Sequence, residues 1–145
     1  MSKIRARLAS VAGVVALTTG LVVASGNQAG AVAVYDHFSF TGLLDSADGY
    51  WSLTVHNDTK DKNAGYAAWQ ADGDTLIAYD GLADGYGLVA HLSDGREAST
   101  AGLSSPVTVK KGGNLPENHT YQMWVCVVKG DAFKQCSYKI NVSSS

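Results

Sequence analysis

The groups able to do chemistry in this 145-residue chain are two cysteines, four histidines and thirteen carboxylates. Their spacing says more than their number. Cys126 and Cys136 are symmetric about Asp131, so a short turn near Lys129–Phe133 would set them opposite each other on neighbouring antiparallel strands. Cross-strand β-carbons at such positions lie within disulfide reach, and a disulfide sulfur is no nucleophile. His37, His56, His91 and His119 show no i,i+2 or i,i+4 spacing of the kind that presents two metal ligands from one element. His56 and His91 close similar strands and are the pair a fold could bring to one rim. There is no G-x-S-x-G elbow and no H-E-x-x-H. Glu97 and Glu117 are the only glutamates, and five of the aspartates precede glycine. The segments Asp45-Ser-Ala-Asp48-Gly and Asp80-Gly-Leu-Ala-Asp84-Gly are oxygen-rich, as calcium prefers, but depart from the EF-hand loop. Turn formation accounts for these aspartates. A glycosidase pair of carboxylates would have to be assembled by the fold. No catalytic set, metal site or cofactor is expected.

The aromatic residues offer contact rather than catalysis. Tyr50, Trp51, Tyr66, Trp69 and Tyr86 could give a small β-domain a platform for stacking sugars or for holding a protein. Trp51 alternates in phase with Leu53 and Val55 and is assigned to the core. Trp69, flanked by the small Ala67 and Ala71, is expected to face solvent. Trp69 and Tyr66 are the candidate ligand contacts.

The elements that must position these residues read as strands. No segment carries a helical stripe, whereas several alternate with period two between turn formers. Strands are expected over 34–41, 50–56, 66–71, 75–79, 86–92, 97–101, 107–110, 120–128 and 133–142. Asp-Gly pairs begin at Asp48, Asp72, Asp80, Asp84 and Asp94 and suit positive-φ turns. Ala47-Asp48-Gly49-Tyr50 recurs as Ala83-Asp84-Gly85-Tyr86, each followed by a strand ending in histidine, which reads as one turn-into-strand pattern used twice. The pattern predicts an all-β fold, an antiparallel β-sandwich of about eight strands with one cross-strand disulfide in its C-terminal hairpin. That hairpin contains a conflict. Tyr121, Met123, Val125 and Val127 ask to face inward, while pairing Cys136, Tyr138, Ile140 and Val142 with Trp124, Cys126 and Val128 asks for the opposite face. Either the strand is buried on both sides or a bulge shifts the register.

Leu115-Pro-Glu-Asn-His-Thr-Tyr121 resembles the tyrosine corner of immunoglobulin and fibronectin type III folds. The resemblance implies an immunoglobulin-like sandwich in which the Tyr121 hydroxyl bonds back to the backbone near Leu115. The wider pattern, a DGYG-type strand start and a terminal WVCV…C hairpin, resembles small exported actinobacterial β-sandwich proteins of uncharacterised function. That resemblance implies a source class and no mechanism.

The first 33 residues read as a Sec-type signal peptide. Lys3, Arg5 and Arg7 precede the apolar Val11–Ser25, which is too short and too interrupted by Gly and Thr to favour a membrane span. Ala29-Gly-Ala31 and Ala31-Val-Ala33 are two overlapping cleavage sites. Residues 34–145 are then a single domain. The leader holds three of the eleven basic residues and none of the acidic ones, leaving eight against thirteen, a net charge of −5. Such a surface lacks the footprint of a nucleic-acid binder. The sequence therefore points to a secreted, extracellular, non-enzymatic binding module for a protein or a cell-envelope or polysaccharide surface. The alternatives are an exported inhibitor of a hydrolase and, third, a small hydrolase. N-terminal sequencing of the exported protein is expected to read from Val32 or Val34, and an intact Met1 would contradict the leader assignment.

Overall fold

A computed structural model describes residues 33–45 and 49–145; the leader up to Val32 and Asp48 of the first Asp-Gly pair lie outside the described residues. The period-two runs become ten strands and, among the described residues, no helix. They are β1 (Phe38–Asp45), β2 (Tyr50–Asn57), β3 (Lys62–Gln70), β4 (Thr75–Asp80), β5 (Gly87–Leu92), β6 (Glu97–Ser99), β7 (Val107–Lys111), β8 (Thr120–Lys129), β9 (Phe133–Cys136) and β10 (Ile140–Ser143). The first sheet runs β1-β2-β3-β4-β7 and the second β10-β8-β5-β6, with β9 also paired to β8. Every strand pairing is antiparallel.

Alternation decides what lies between the sheets. Leu53, Val55, Ala67, Trp69, Leu76 and Ala78 line the inner face of the first sheet, and Leu88, Ala90, Leu92, Met123, Val125 and Val127 that of the second, all almost fully buried. Asp72-Gly73 lies in the β3–β4 turn and Asp94-Gly95 in the β5–β6 turn, where Gly95 has φ +94°. Asp80-Gly81 and Asp84-Gly85 do not close hairpins. They lie in the crossover from β4 to β5, where Asp80 accepts from Leu82 N–H and Asp84 from Tyr86 N–H, each side chain mimicking a turn of backbone. The register of β2 on β3 shifts between Val55 and His56. Gly65 lies there with φ +150°, and a β-carbon would meet the Tyr79 carbonyl at 2.0 Å, so only glycine fits.

The C-terminal conflict is resolved by a shift. Cys126 faces Cys136, but Met123 faces Ile140, so the pairing slips by one residue through Ser137-Tyr138-Lys139. The anticipated single strand 133–142 is therefore two, β9 and β10. Met123, Val125 and Val127 point inward with Ile140 and Val142, while Tyr138 leaves the ladder and stands 54 % exposed. The Cys126–Cys136 disulfide joins neighbouring strands of one sheet, as its spacing predicts. Tyr121 is half-buried against the core, but among the described residues its hydroxyl makes no hydrogen bond to the turn. Ser144 does that work: its Oγ donates to the Pro116 carbonyl and accepts from His119 N–H. Ser144, the residue after the last strand, and not the Tyr121 hydroxyl, closes the 115–119 turn.

Trp69 corrects an expectation. It is fully buried, opposite Trp51 in the register, and its Nε1–H donates to the Ser143 carbonyl at 2.9 Å. Ala67 and Ala71 share its inward face. Their small size makes room for the indole in the core and does not mark a solvent patch. In chemical denaturation Trp69→Ala is expected to cost about 3–5 kcal/mol. Cys136→Ala, which opens only a local loop, is expected to cost about 2–3 kcal/mol.

Candidate functional site

With Trp51, Trp69 and Tyr86 inside, the sequence candidates that reach solvent are Tyr50, 36 % exposed, and the half-buried Tyr66. The register places it in an outward row across the first sheet, Thr41–Thr54–Tyr66–Tyr79–Thr108. Tyr66 and Tyr79 are direct cross-strand neighbours with ring centroids 5.1 Å apart and planes at 37°. The next row brings Ser52, Ala68 and Ile77 side by side, and the one after it Tyr50, Gln70 and Thr75.

Ser52, Ala68 and Ile77 are on the outward face yet only 8 %, 0 % and 6 % exposed. This row lies between the Tyr66–Tyr79 row and the row that holds Tyr50. Burial raises the Tyr50 hydroxyl pKa, and Tyr66 raises it further. No residue in these three rows of β2, β3 and β4 carries a formal charge. The product is a flat field of phenol rings, hydroxyls and one amide. Tyr79 was missing from the sequence candidates; the alternation Thr75-Ile77-Tyr79 sets it on one face of its own strand, and the pairing of β4 with β3 makes that the face of Tyr66.

The outer face of the second sheet is built differently. Glu97, His91, Trp124 and then Lys139 form a row contributed by β6, β5, β8 and the segment before β10. His91 stacks on Trp124 at 5.0 Å and 10°, and the Lys139 ammonium stands 4.6 Å from the same ring. The indole is flanked by two neighbours from its own sheet and stays half-buried. His91 Nδ1 lies 2.9 Å from the Glu97 carboxylate, so Nδ1 carries the proton. Nε2 is then an unprotonated nitrogen, buried and without a partner among the described residues. Burial pulls the His91 pKa down, partly opposed by Glu97.

The four histidines do not converge. His56 is on the first sheet, bonded to Asp58 at 3.0 Å, and His91 is on the outer face of the second. His119 Nδ1 meets the Glu117 carbonyl. Among the described residues no three His, Cys, Asp or Glu side chains are grouped to hold a metal ion. The carboxylates near one pole hold structure. Both amide hydrogens of the fully buried Asn57 are accepted, one by Asp36 and one by Asp84, each at 2.8 Å. The Asn57 and Lys60 bonds hold the Asp36 carboxyl below its usual range. Asp80 is pushed up by burial but is only 2 % exposed, sealed from any substrate. A depression of about 480 Å³ opens near this pole among Gly85, Gly102, Ser104, Ser105 and Lys129, and its lining residues include no carboxylate.

No helix among the described residues is long and apolar enough to cross a membrane. Comparison of the chain with protein-family models, curated proteins and solved structures gives no match.

The His91 geometry has a sign. Its folded pKa lies below the ordinary value of about 6.5, so between the two values the unfolded chain binds more protons than the folded one. Stability is full above the ordinary value and falls as the pH drops through that window. The melting temperature is expected to fall between about pH 7.5 and pH 5. The fall should be shallower in His91→Gln, and an unchanged slope would show that His91 does not titrate in this way.

Proposed function

We propose that this protein is an exported, non-enzymatic binding module, and that it holds a neutral glycan surface or chain on the outer tyrosine face of its first sheet. The Tyr66–Tyr79 pair on the outer sheet face, in a row from Thr41 to Thr108 that holds no charged residue, carries this reading. Sugar rings present flat C–H faces that pack on aromatic rings, and their hydroxyls need uncharged partners at the rim. Thr54, Gln70 and Thr75 supply such partners around the tyrosines. A five-stranded antiparallel sheet presents these groups over an extended surface rather than in a pocket, which suits a polymer better than a small molecule. The charged residues of the neighbouring rows, Lys110 beside Ile77 and Asp45 beside Tyr50, stand on the edge strands β7 and β1. The disulfide between β8 and β9 is in keeping with an oxidising compartment, and the leader is in keeping with export.

Cosedimentation with insoluble neutral polysaccharides such as chitin and cellulose should recover the protein. Tyr66→Ala and Tyr79→Ala should each weaken binding at least roughly tenfold, with the melting temperature little changed because both rings lie outside the core. Binding that survives both substitutions would remove the tyrosine face from the reading. Capture by a soluble protein but by no polysaccharide would replace the glycan with a protein ligand.

A further inference from the structure

Of the edges in the sandwich, β1 is the longest, and its own sequence does little to protect it. Phe38–Asp45 contains no lysine and no proline, and its register with β2 runs unbroken from Phe38–Asn57 to Asp45–Tyr50, so no bulge turns it away. The other edges are short or charged. β6 has three residues, β10 has four, and β7 ends in Lys110 and Lys111. A long, regular edge without charge until its last residue is a template on which another strand can add.

In this molecule that edge is covered by side chains from residues 133–138. Gly42 N–H donates to the Tyr138 hydroxyl at 2.9 Å, and Gln135 Nε2 donates to the Phe38 carbonyl at 2.7 Å. Both backbone groups lie on the side of β1 that faces away from β2. Phe133 packs on Tyr35 and Phe38 at the same edge. Cys136 stands between Gln135 and Tyr138, so the disulfide to Cys126 ties this covering segment to β8. The fit depends on glycine at position 42, where a β-carbon would come within 2.8 Å of the Tyr138 hydroxyl. Leu43 and Tyr138 leave apolar surface beside the edge, at 64 % and 54 % exposed.

We propose that Gln135 and Tyr138 are a strand-edge guard, and that without them β1 becomes a self-association surface whose partner is the β1 of a second copy of this chain. Two identical strands paired antiparallel about a two-fold axis offer each other the same donors and acceptors, so the contact is self-complementary and closes as a dimer. It would join two five-stranded sheets edge to edge and cover Leu43 from both copies.

Sedimentation of the purified protein over a concentration series tests this. Wild-type protein should remain monomeric, while Gln135→Ala/Tyr138→Phe should associate at least roughly tenfold more tightly. Gly42→Ala should have the same effect by displacing the Tyr138 hydroxyl from the other side. It keeps the test open if near-ultraviolet circular dichroism shows the double variant misfolded. Adding Leu43→Lys, an exposed change that blunts a pairing edge, should restore the wild-type behaviour. Guard variants that sediment like wild type, or association that persists with Leu43→Lys, would overturn the proposal.

Discussion

An indole N–H buried between two sheets needs an acceptor, and much of this molecule is arranged around supplying one. Trp69 is fully buried, and its Nε1–H reaches the carbonyl of Ser143 on β10. A missing partner there would leave a polar group desolvated at a cost of roughly 1–3 kcal/mol. The bond therefore does more than fill space. It ties a central strand of the first sheet to the last strand of the second, and the next residue, Ser144, closes the 115–119 turn with its hydroxyl. Above the indole, the Arg96 guanidinium lies 5.8 Å from the ring centre and donates to the Asp74 carbonyl, capping this end of the core.

That constraint sorts the aromatic residues. Trp51, Trp69 and Tyr86 lie between the sheets because a sandwich of this size fills its centre with a few large rings beside small ones, here alanines at 64, 67, 71 and 78. Trp124 is outward but clasped by His91 and Lys139, a row that stiffens its sheet. The tyrosines of the first sheet differ. Tyr66 and Tyr79 pair with each other between Thr54 and Thr108, beside the row of Ser52, Ala68 and Ile77, and both stay half-buried with surface toward solvent. A binding reading and a structural reading of the same residue type are thus separated by what stands next to it in the register.

The one-residue slip at Ser137–Lys139 serves both sheets. Because side chains alternate with period two, a single inserted residue exchanges the faces of everything after it. It lets Cys136 meet Cys126 on the outer side while Ile140 and Val142 still reach the core. The residue released by the slip, Tyr138, is the one that reaches across to Gly42 on β1. The short disulfide loop and the cover on the longest edge are products of the same irregularity.

Local order was legible in the chain itself. Alternation marked the strands, the ten-residue cysteine separation marked the β8–β9 pair, and Trp51 could be assigned to the core from its phase with Leu53 and Val55. These properties depend on neighbours within a few residues, where the pleat dictates which side chains share a face. Register and sheet assignment between distant segments were not legible, because they depend on which strands become partners. Hence Trp69 read as exposed beside its alanines, His56 and His91 read as rim partners although they lie on different sheets, and β9 and β10 read as one strand. The Tyr66–Tyr79 pair was half visible: each tyrosine is outward by its own alternation, but only the pairing of β3 with β4 brings the rings to 5.1 Å. The sequence by itself determined an all-β chain and its one disulfide, since both follow from short-range periodicity. Only the tertiary structure decided which aromatics meet solvent, because that turns on one-residue differences in register between strands far apart in the chain.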